Sequence, residues 1–199
     1  MKRADTLPRI DPLRPVRSTA VPVGPEWIYE LKLDGFRGVL TIDRGRAFFT
    51  SKTSKPMPRF QELADALARA LDVEEAILDG EIIVMGDDGP DFYALFFRRG
   101  QPAFAAFDLL WLNGRDLRTQ PLWRRKKTLG KLIAQTPVAL VEHVDDPALF
   151  AVTAQKDLEG IVAKRRRDPY AADTRWVKVK HHGYTQMAGR WELFDRRRR

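Results

Sequence analysis

The chain has 199 residues, enough for one substantial core and short for two full domains. With 44% hydrophobic and 31% charged residues it is not a disordered chain except at its ends, and no apolar run approaches the ~18 residues of a membrane span. Lys and Arg outnumber Asp and Glu by 35 to 27, a net charge of +8 that suits a polyphosphate or nucleic-acid partner, and the lack of cysteine excludes disulfides and thiolate zinc sites.

The opening stretch, "MKRADTLPRIDPLRP", has no apolar signal segment, which points to a cytoplasmic protein. Its prolines and arginines predict an extended strap over residues 1–24, with one domain over 25–199. From Trp27, "WIYELKL", "FRGVLTID" and "AFFTS" read as consecutive antiparallel strands, broken at Asp34-Gly35 and Arg44-Gly45. In "PRFQELADALARAL", Phe60, Leu63, Leu67 and Leu71 fall at helical spacing behind a proline. "AILDGEIIVM" and "PAFAAFDLLWLN" read as buried strands, the second closing on Asn113-Gly114, with a loop and short helix between them. "PLWRRKKTLGKLIAQ" places Leu122, Leu129, Leu132 and Ile133 on one stripe with its basic residues elsewhere. "DDPALFAVTAQKD" starts a helix with an Asp cap and a proline at its first position. "EGIVAKRR" and "RWVKVK" return to strand alternation, and "GRWELFDRRRR" ends the chain with a strand and four arginines. The pattern is an α+β domain with mainly antiparallel sheets flanked by helices.

"YELKLDGFRG" raises the first chemical question, since a Lys-x-Asp-Gly match on its own is a surface lysine beside a turn. The segments that follow it change the weighting: "LDGEIIV" with Glu81, "FDLLWLNGRDL" from Phe107, "EGIVAKRR" with Glu159, and "RWVKVK" with Lys178 and Lys180. In this order, from about Trp27 to Lys180, they resemble the signature segments of ATP-dependent DNA ligases, covalent nucleotidyltransferases with an ATP-grasp-like catalytic core. The likeness is greatest to the ligase domains of bacterial end-joining enzymes. It implies that Lys32 takes AMP from ATP as a lysyl-AMP intermediate and that the chain seals nicks in DNA. A neutral amine is a good nucleophile toward phosphorus, and burial with nearby cations such as Lys178 and Lys180 favours the neutral form.

The same resemblance assigns the remaining roles. Glu159 and Glu81 would supply hard oxygen ligands to Mg2+, Glu159 being the better candidate and Glu81 also lying near the ribose. Phe107 would offer an aromatic face to adenine, with Glu30 and the Leu31 backbone at the edge of the base. Arg37 would meet the ribose or the DNA phosphate, and Lys178 and Lys180 the α-phosphate. Where the family usually has Ser-Arg, this chain has Ser51-Lys52, so 5′-phosphate recognition would rest on Lys52, Lys55 or Arg59; His181 and His182 are expected on the surface.

Residues 181–199 are too few for the OB-fold lid of full-length ligases, and the ending reads as a finished terminus. The expectation is a catalytic core without its OB domain, slow to charge with ATP unless a repair-protein partner supplies the lid. Its substrate would be nicked or broken double-stranded DNA, with no membrane association and a monomeric chain. Only 31 residues precede Lys32, which disfavours NAD as donor. RNA ligation, a capping-type nucleotidyl transfer and a non-catalytic module for DNA ends are the competing readings.

Overall fold

Two sheets face each other, and the chain crosses from one to the other immediately after Lys32. This computed structural model describes residues 7–187. In chain order the strands are β1 (Val16–Ser18), β2 (Trp27–Leu31), β3 (Phe36–Asp43), β4 (Arg46–Ser51), β5 (Glu75–Ile83), β6 (Met85–Gly86) and β7 (Gly89–Pro90). They continue with β8 (Ala103–Leu112), β9 (Arg115–Asp116), β10 (Ala139–Leu140), β11 (His143–Val144), β12 (Gly160–Arg165) and β13 (Val177–Lys180). The helices are α1 (Gln61–Leu71), α2 (Phe92–Phe96), α3 (Leu122–Ile133) and α4 (Leu149–Gln155).

The first sheet runs β1-β13-β12-β2-β11 and the second β10-β8-β5-β3-β4, with β9 hairpinned onto β8. Pairing is antiparallel except for β1 with β13 and β10 with β8. The expected hairpin of β2 with β3 is not formed. Asp34-Gly35 instead carries the chain between sheets, and a side chain at Gly35 would run into the Ile82 carbonyl oxygen. The other two turns are two-residue hairpins: Arg44 and Gly45 have φ of 48° and 81°, Asn113 and Gly114 of 43° and 78°, the left-handed geometry that matches strand twist.

Alternation along the strands divides the apolar residues among three clusters. Leu40, Ile42, Leu78, Ile82, Phe104 and Ala106 leave the outer face of the second sheet and pack against Ala64, Leu67 and Leu71 of α1. Each large side chain buried there contributes about 1.5–3 kcal/mol, so this layer anchors the second sheet. Trp27, Tyr29, Ile161, Ala163 and Val179 cover the outer face of the first sheet, under Leu149 and Phe150 of α4. Between the sheets lie Val39, Ile77, Ala105, Phe107 and Trp176, joined by Ile10 and Leu13 from the N-terminal segment.

Two helix expectations need correction. The basic residues of α3 are not confined to its outer face: Arg125 and Lys126 are buried, because Asp108 and Glu30 wait beneath them. At α4, Asp146 does accept a hydrogen bond, from Ala148 N at 2.8 Å, but the helix begins at Leu149 with no side-chain cap. The short helix expected after β7 is α2, capped by Asp91, whose carboxylate accepts from Ala94 N at 2.8 Å. The strand expected over "GRWELFDRRRR" lies outside the described residues.

Candidate active site between the sheets

Strand register brings Lys32, Glu159 and Lys180 together. β12 is flanked by β2 and β13, with Ile161 opposite Leu31 and Gly160 opposite Lys180. One rung further, Lys32 N donates to Gly160 O at 2.8 Å and His181 N to Glu159 O at 2.9 Å. Gly160, at φ 140°, has no room for a side chain beside the Val179 carbonyl, so the three backbones close up tightly here. The Glu159 carboxylate then spans two cations: its Oε2 accepts from Lys32 Nζ at 2.5 Å and its Oε1 lies 2.8 Å from Lys180 Nζ. Burial opposes charge on Glu159, but the two lysines prevail and hold it below the usual carboxylate range.

The facing strands supply a second acid. Arg37 pairs with Glu81 across β3 and β5, and Val39 with Asp79, so Arg37, Asp79 and Glu81 share the inward face of the second sheet. Burial pushes Glu81 up to about 7, against the attraction of Lys32 and Arg37 and with the repulsion of Glu159 and Asp34. The Arg37 guanidinium, expected at the ribose or the DNA phosphate, is paired with Asp79 in this structure. Its Nε and Nη2 each donate to Asp79 at 2.5 Å, forming a fork on a carboxylate that is itself fully buried. Tyr170 Oη also donates to Asp79, at 2.7 Å.

The predicted adenine face is likewise occupied. Phe107 is 8% exposed, with the Arg37 guanidinium 4.5 Å and the Lys164 ammonium 4.1 Å from its ring centroid. Lys164 also lies 4.1 Å from the Trp176 ring, which meets Phe107 edge-on. Phe107 is therefore a wall of an aromatic and cationic box rather than an open platform. Glu30, expected at the edge of the base, is 2% exposed and holds Lys126 and Lys164, each at 2.6 Å. Burial disfavours its charge, but these lysines lower its pKa, while burial lowers Lys164 to about 8. Leu31 ends β2 opposite Ile161, one residue from the nucleophile candidate.

Lys178 and Lys52 extend the positive field. Burial lowers the pKa of Lys178, and the positive charges of Lys32, Lys180 and Lys52 lower it further. Lys52 is exposed in the turn after β4. Arg59 does not extend that field as a phosphate-facing cation: its guanidinium donates to the Leu95 carbonyl and lies 4.9 Å from the Phe60 ring centroid and 5.5 Å from that of Phe36. Of the histidines, His182 is exposed and His181 half-buried.

Residues 13–180 match the family model described as the ATP dependent DNA ligase domain. The chain belongs to that family. It is 32% identical over 176 residues to the SPbeta prophage-derived DNA ligase-like protein LigB of Bacillus subtilis, covering 81% of this chain and 63% of that protein. It is 31% identical over 175 residues to the multifunctional non-homologous end joining DNA repair protein LigD of Mycobacterium tuberculosis, covering 83% of this chain and 23% of that one. A solved mycobacterial DNA ligase D complexed with ATP and MES superimposes with a TM-score of 0.73 at 31% identity, over 85% of this chain and 60% of that chain. The chain thus spans less than two-thirds of the length of these relatives.

In this ligase domain the cleft holds residues that the sequence pattern did not single out. Asp79, Lys126, Lys164, Tyr170 and Trp176 complete the box around Glu30, Arg37 and Phe107. The Leu13 backbone is tied to it, donating from N to Tyr170 Oη at 3.0 Å and accepting from Arg37 Nη2 at 3.4 Å. Asp79 and Lys164 lie inside the quoted "LDGE" and "EGIVAKRR" segments, two and five residues from the acids that drew attention. The extended N-terminal segment gave no chemical signal of its own.

Proposed function

We propose that this domain joins DNA strands at the expense of ATP through AMP carried on Lys32, and the observation that carries the reading is the Lys32–Glu159–Lys180 cluster. Three residues from distant parts of the chain converge there, at 2.5 and 2.8 Å, with both lysine side chains partly exposed. Family membership favours DNA joining over RNA joining or capping.

The chemistry follows from the residues. Lys32 attacks the α-phosphorus of ATP as the free amine, so that a P–N bond forms while the bond to pyrophosphate breaks. Its ammonium proton must leave first, and Glu159 already accepts a hydrogen bond from that nitrogen. Lys178 and Lys180 bring positive charge to the phosphate oxygens, a task suited to mobile ammonium groups. AMP then passes from Lys32 to the 5′-phosphate at a nick, and the adjoining 3′-hydroxyl displaces it. Lys52, exposed in the turn after β4, would meet DNA phosphate.

Glu81 and Glu159 would hold magnesium. Both are hard oxygen donors within one another's field, and a cation between them would offset the repulsion that helps keep Glu81 near neutrality. Among the described residues there is no cluster of three or more metal-ligating side chains, which fits an ion that takes one or two carboxylates and completes its shell with phosphate and water. When bound, it would neutralise charge on the phosphate oxygens.

Incubation with α-labelled ATP and magnesium tests the proposal. Label should remain on the protein through denaturation, be absent in Lys32→Ala, and be discharged by nicked DNA more readily than by nicked RNA. Label retained by Lys32→Ala would refute the assignment.

A further inference from the structure

The three residues Tyr184, Thr185 and Gln186 follow β13 and fasten together the segments that carry the two reactive groups. Tyr184 is 5% exposed, and its hydroxyl donates to Asp34 Oδ2 at 2.7 Å; Asp34, also 5% exposed, lies two residues beyond Lys32. Thr185 holds Asp157, two residues before Glu159, donating from its backbone N at 3.0 Å and again from its hydroxyl. Gln186 grips the start of α2, donating to Pro90 O and accepting from Phe92 N, both at 3.0 Å.

The geometry gives this arrangement a purpose at Lys32. The crossover from β2 to β3 is only Lys32, Leu33, Asp34 and Gly35, and its backbone is fixed at one end by the bond from Lys32 N to Gly160 O. At the other end Gly35 sits against Ile82 O with no space for a side chain. Between these points the Asp34 carboxylate anchors the turn, and a hydroxyl donor to a buried carboxylate makes a strong, short hydrogen bond. Loss of that donor weakens the anchor two residues from Lys32 and lets the lysine ammonium shift relative to Glu159. A nucleophile displaced by as little as 1 Å loses rate even when substrate binding is unaffected.

We propose that Tyr184 is a positioning residue for Lys32, acting through Asp34, in the adenylylation step. The proposal rests on the functional reading above.

Tyr184→Phe tests it with two readouts on the full chain. The maximal rate of Lys32 labelling by ATP should fall about tenfold to a hundredfold, the range expected for one hydrogen bond to a charged group, with KM for ATP within about twofold. Amide exchange over residues 32–36, measured without ATP, should accelerate at least about tenfold, while exchange in β5 is unchanged. If Tyr184→Phe does not fold, Gln186→Ala, which frees the same segment from Pro90 and Phe92, decides the matter: faster exchange at 32–36 with a lower maximal labelling rate upholds the proposal, and unchanged exchange and rate overturn it. Wild-type rate and exchange in Tyr184→Phe, or a rise in KM with the maximal rate preserved, would overturn Tyr184 as a positioning residue while the labelled wild type upheld the functional reading. A wild type that takes no label would overturn the functional reading, and this proposal with it.

Discussion

Glu159 divides its carboxylate between Lys32 and Lys180, one oxygen to each, at 2.5 and 2.8 Å. The acid itself is buried, whereas the lysine side chains are 23% and 27% exposed. Both ammonium groups can therefore turn toward a phosphate without leaving water entirely, while the acid stays fixed. Glu159→Gln keeps the shape and removes the charge, leaving two lysines to repel each other. Adenylylation should fall at least about tenfold to a hundredfold, the value of a hydrogen bond to a charged group. Stability should fall modestly: the contribution of the ionised acid is lost, while the two lysines it releases stay hydrated. Single-turnover labelling alongside thermal unfolding would check both, and a large loss of Tm with normal labelling would contradict the assignment.

Arg37 and Asp79 stand in contrast, as a pair buried in the wall. Asp79 accepts three hydrogen bonds, two from Arg37 and one from Tyr170, and is fully buried. Asp79→Ala leaves a guanidinium without its counter-charge beneath the Leu13 segment, a change that costs about 3–5 kcal/mol. Chemical denaturation should show this loss, together with faster proteolysis of the N-terminal segment, which depends on Arg37 and Tyr170 for its tether at Leu13.

How much of this could be read in the sequence depended on how local the cause was. Arg44-Gly45 and Asn113-Gly114 gave their hairpins because turn chemistry is decided within a few residues. Phe60, Leu67 and Leu71 gave α1 because an apolar face is written in its own spacing. The β2 to β3 hairpin was misread: Asp34-Gly35 satisfies the local signal for a turn, and only the pairing of β2 with β12, more than a hundred residues later, sends β3 to another sheet. Burial of Lys126 was illegible for the same reason, since its partner Glu30 lies 96 positions away. The ordered motif segments contain Lys32, Glu159 and Lys180, which the fold brings together, but not the pairings of the other charges: Arg37 binds Asp79, and Arg59 lies against phenylalanine rings.

Lys164 supports Glu30, Phe107 and Trp176 at once, so its removal should be felt through all three. It is 1% exposed, 2.6 Å from Glu30 and 4.1 Å from both ring centroids. Lys164→Met fills similar volume but leaves Glu30 with Lys126 alone, and the loss should be about 2–4 kcal/mol. Adding Glu30→Gln removes the charge that Lys164 served. In a double-mutant cycle the two substitutions should therefore cost less together than the sum of their separate effects, by about 1–3 kcal/mol. Additive losses would mean that Lys164 acts through the rings alone.

Glu81 makes stability and activity depend on pH in opposite directions. Burial raises its folded pKa to about 7 from an ordinary 4.5, outweighing the attraction of Lys32 and Arg37, with Glu159 and Asp34 adding repulsion. The folded state then binds the proton more tightly than the unfolded chain. Its contribution to stability is complete below pH 4.5 and is lost as pH rises through about 7. Glu30 and Glu159 have the reverse sign, since their folded pKa values are lowered: their contribution is present above the ordinary carboxylate range and lost in more acidic solution. His143, whose pKa is lowered chiefly by burial, adds a pH dependence of its own, so the informative quantity is the difference between wild type and Glu81→Gln, in which its effect cancels. The unfolding free energy of wild type relative to Glu81→Gln should therefore fall as pH rises from 4.5 to about 7 and be flat above it. Adenylylation with magnesium should instead rise through the same range, because on the proposed reading Glu81 would hold the cation only as the ionised carboxylate. Bound magnesium should move that midpoint to lower pH, and Glu81→Gln should remove the inflection along with most of the rate.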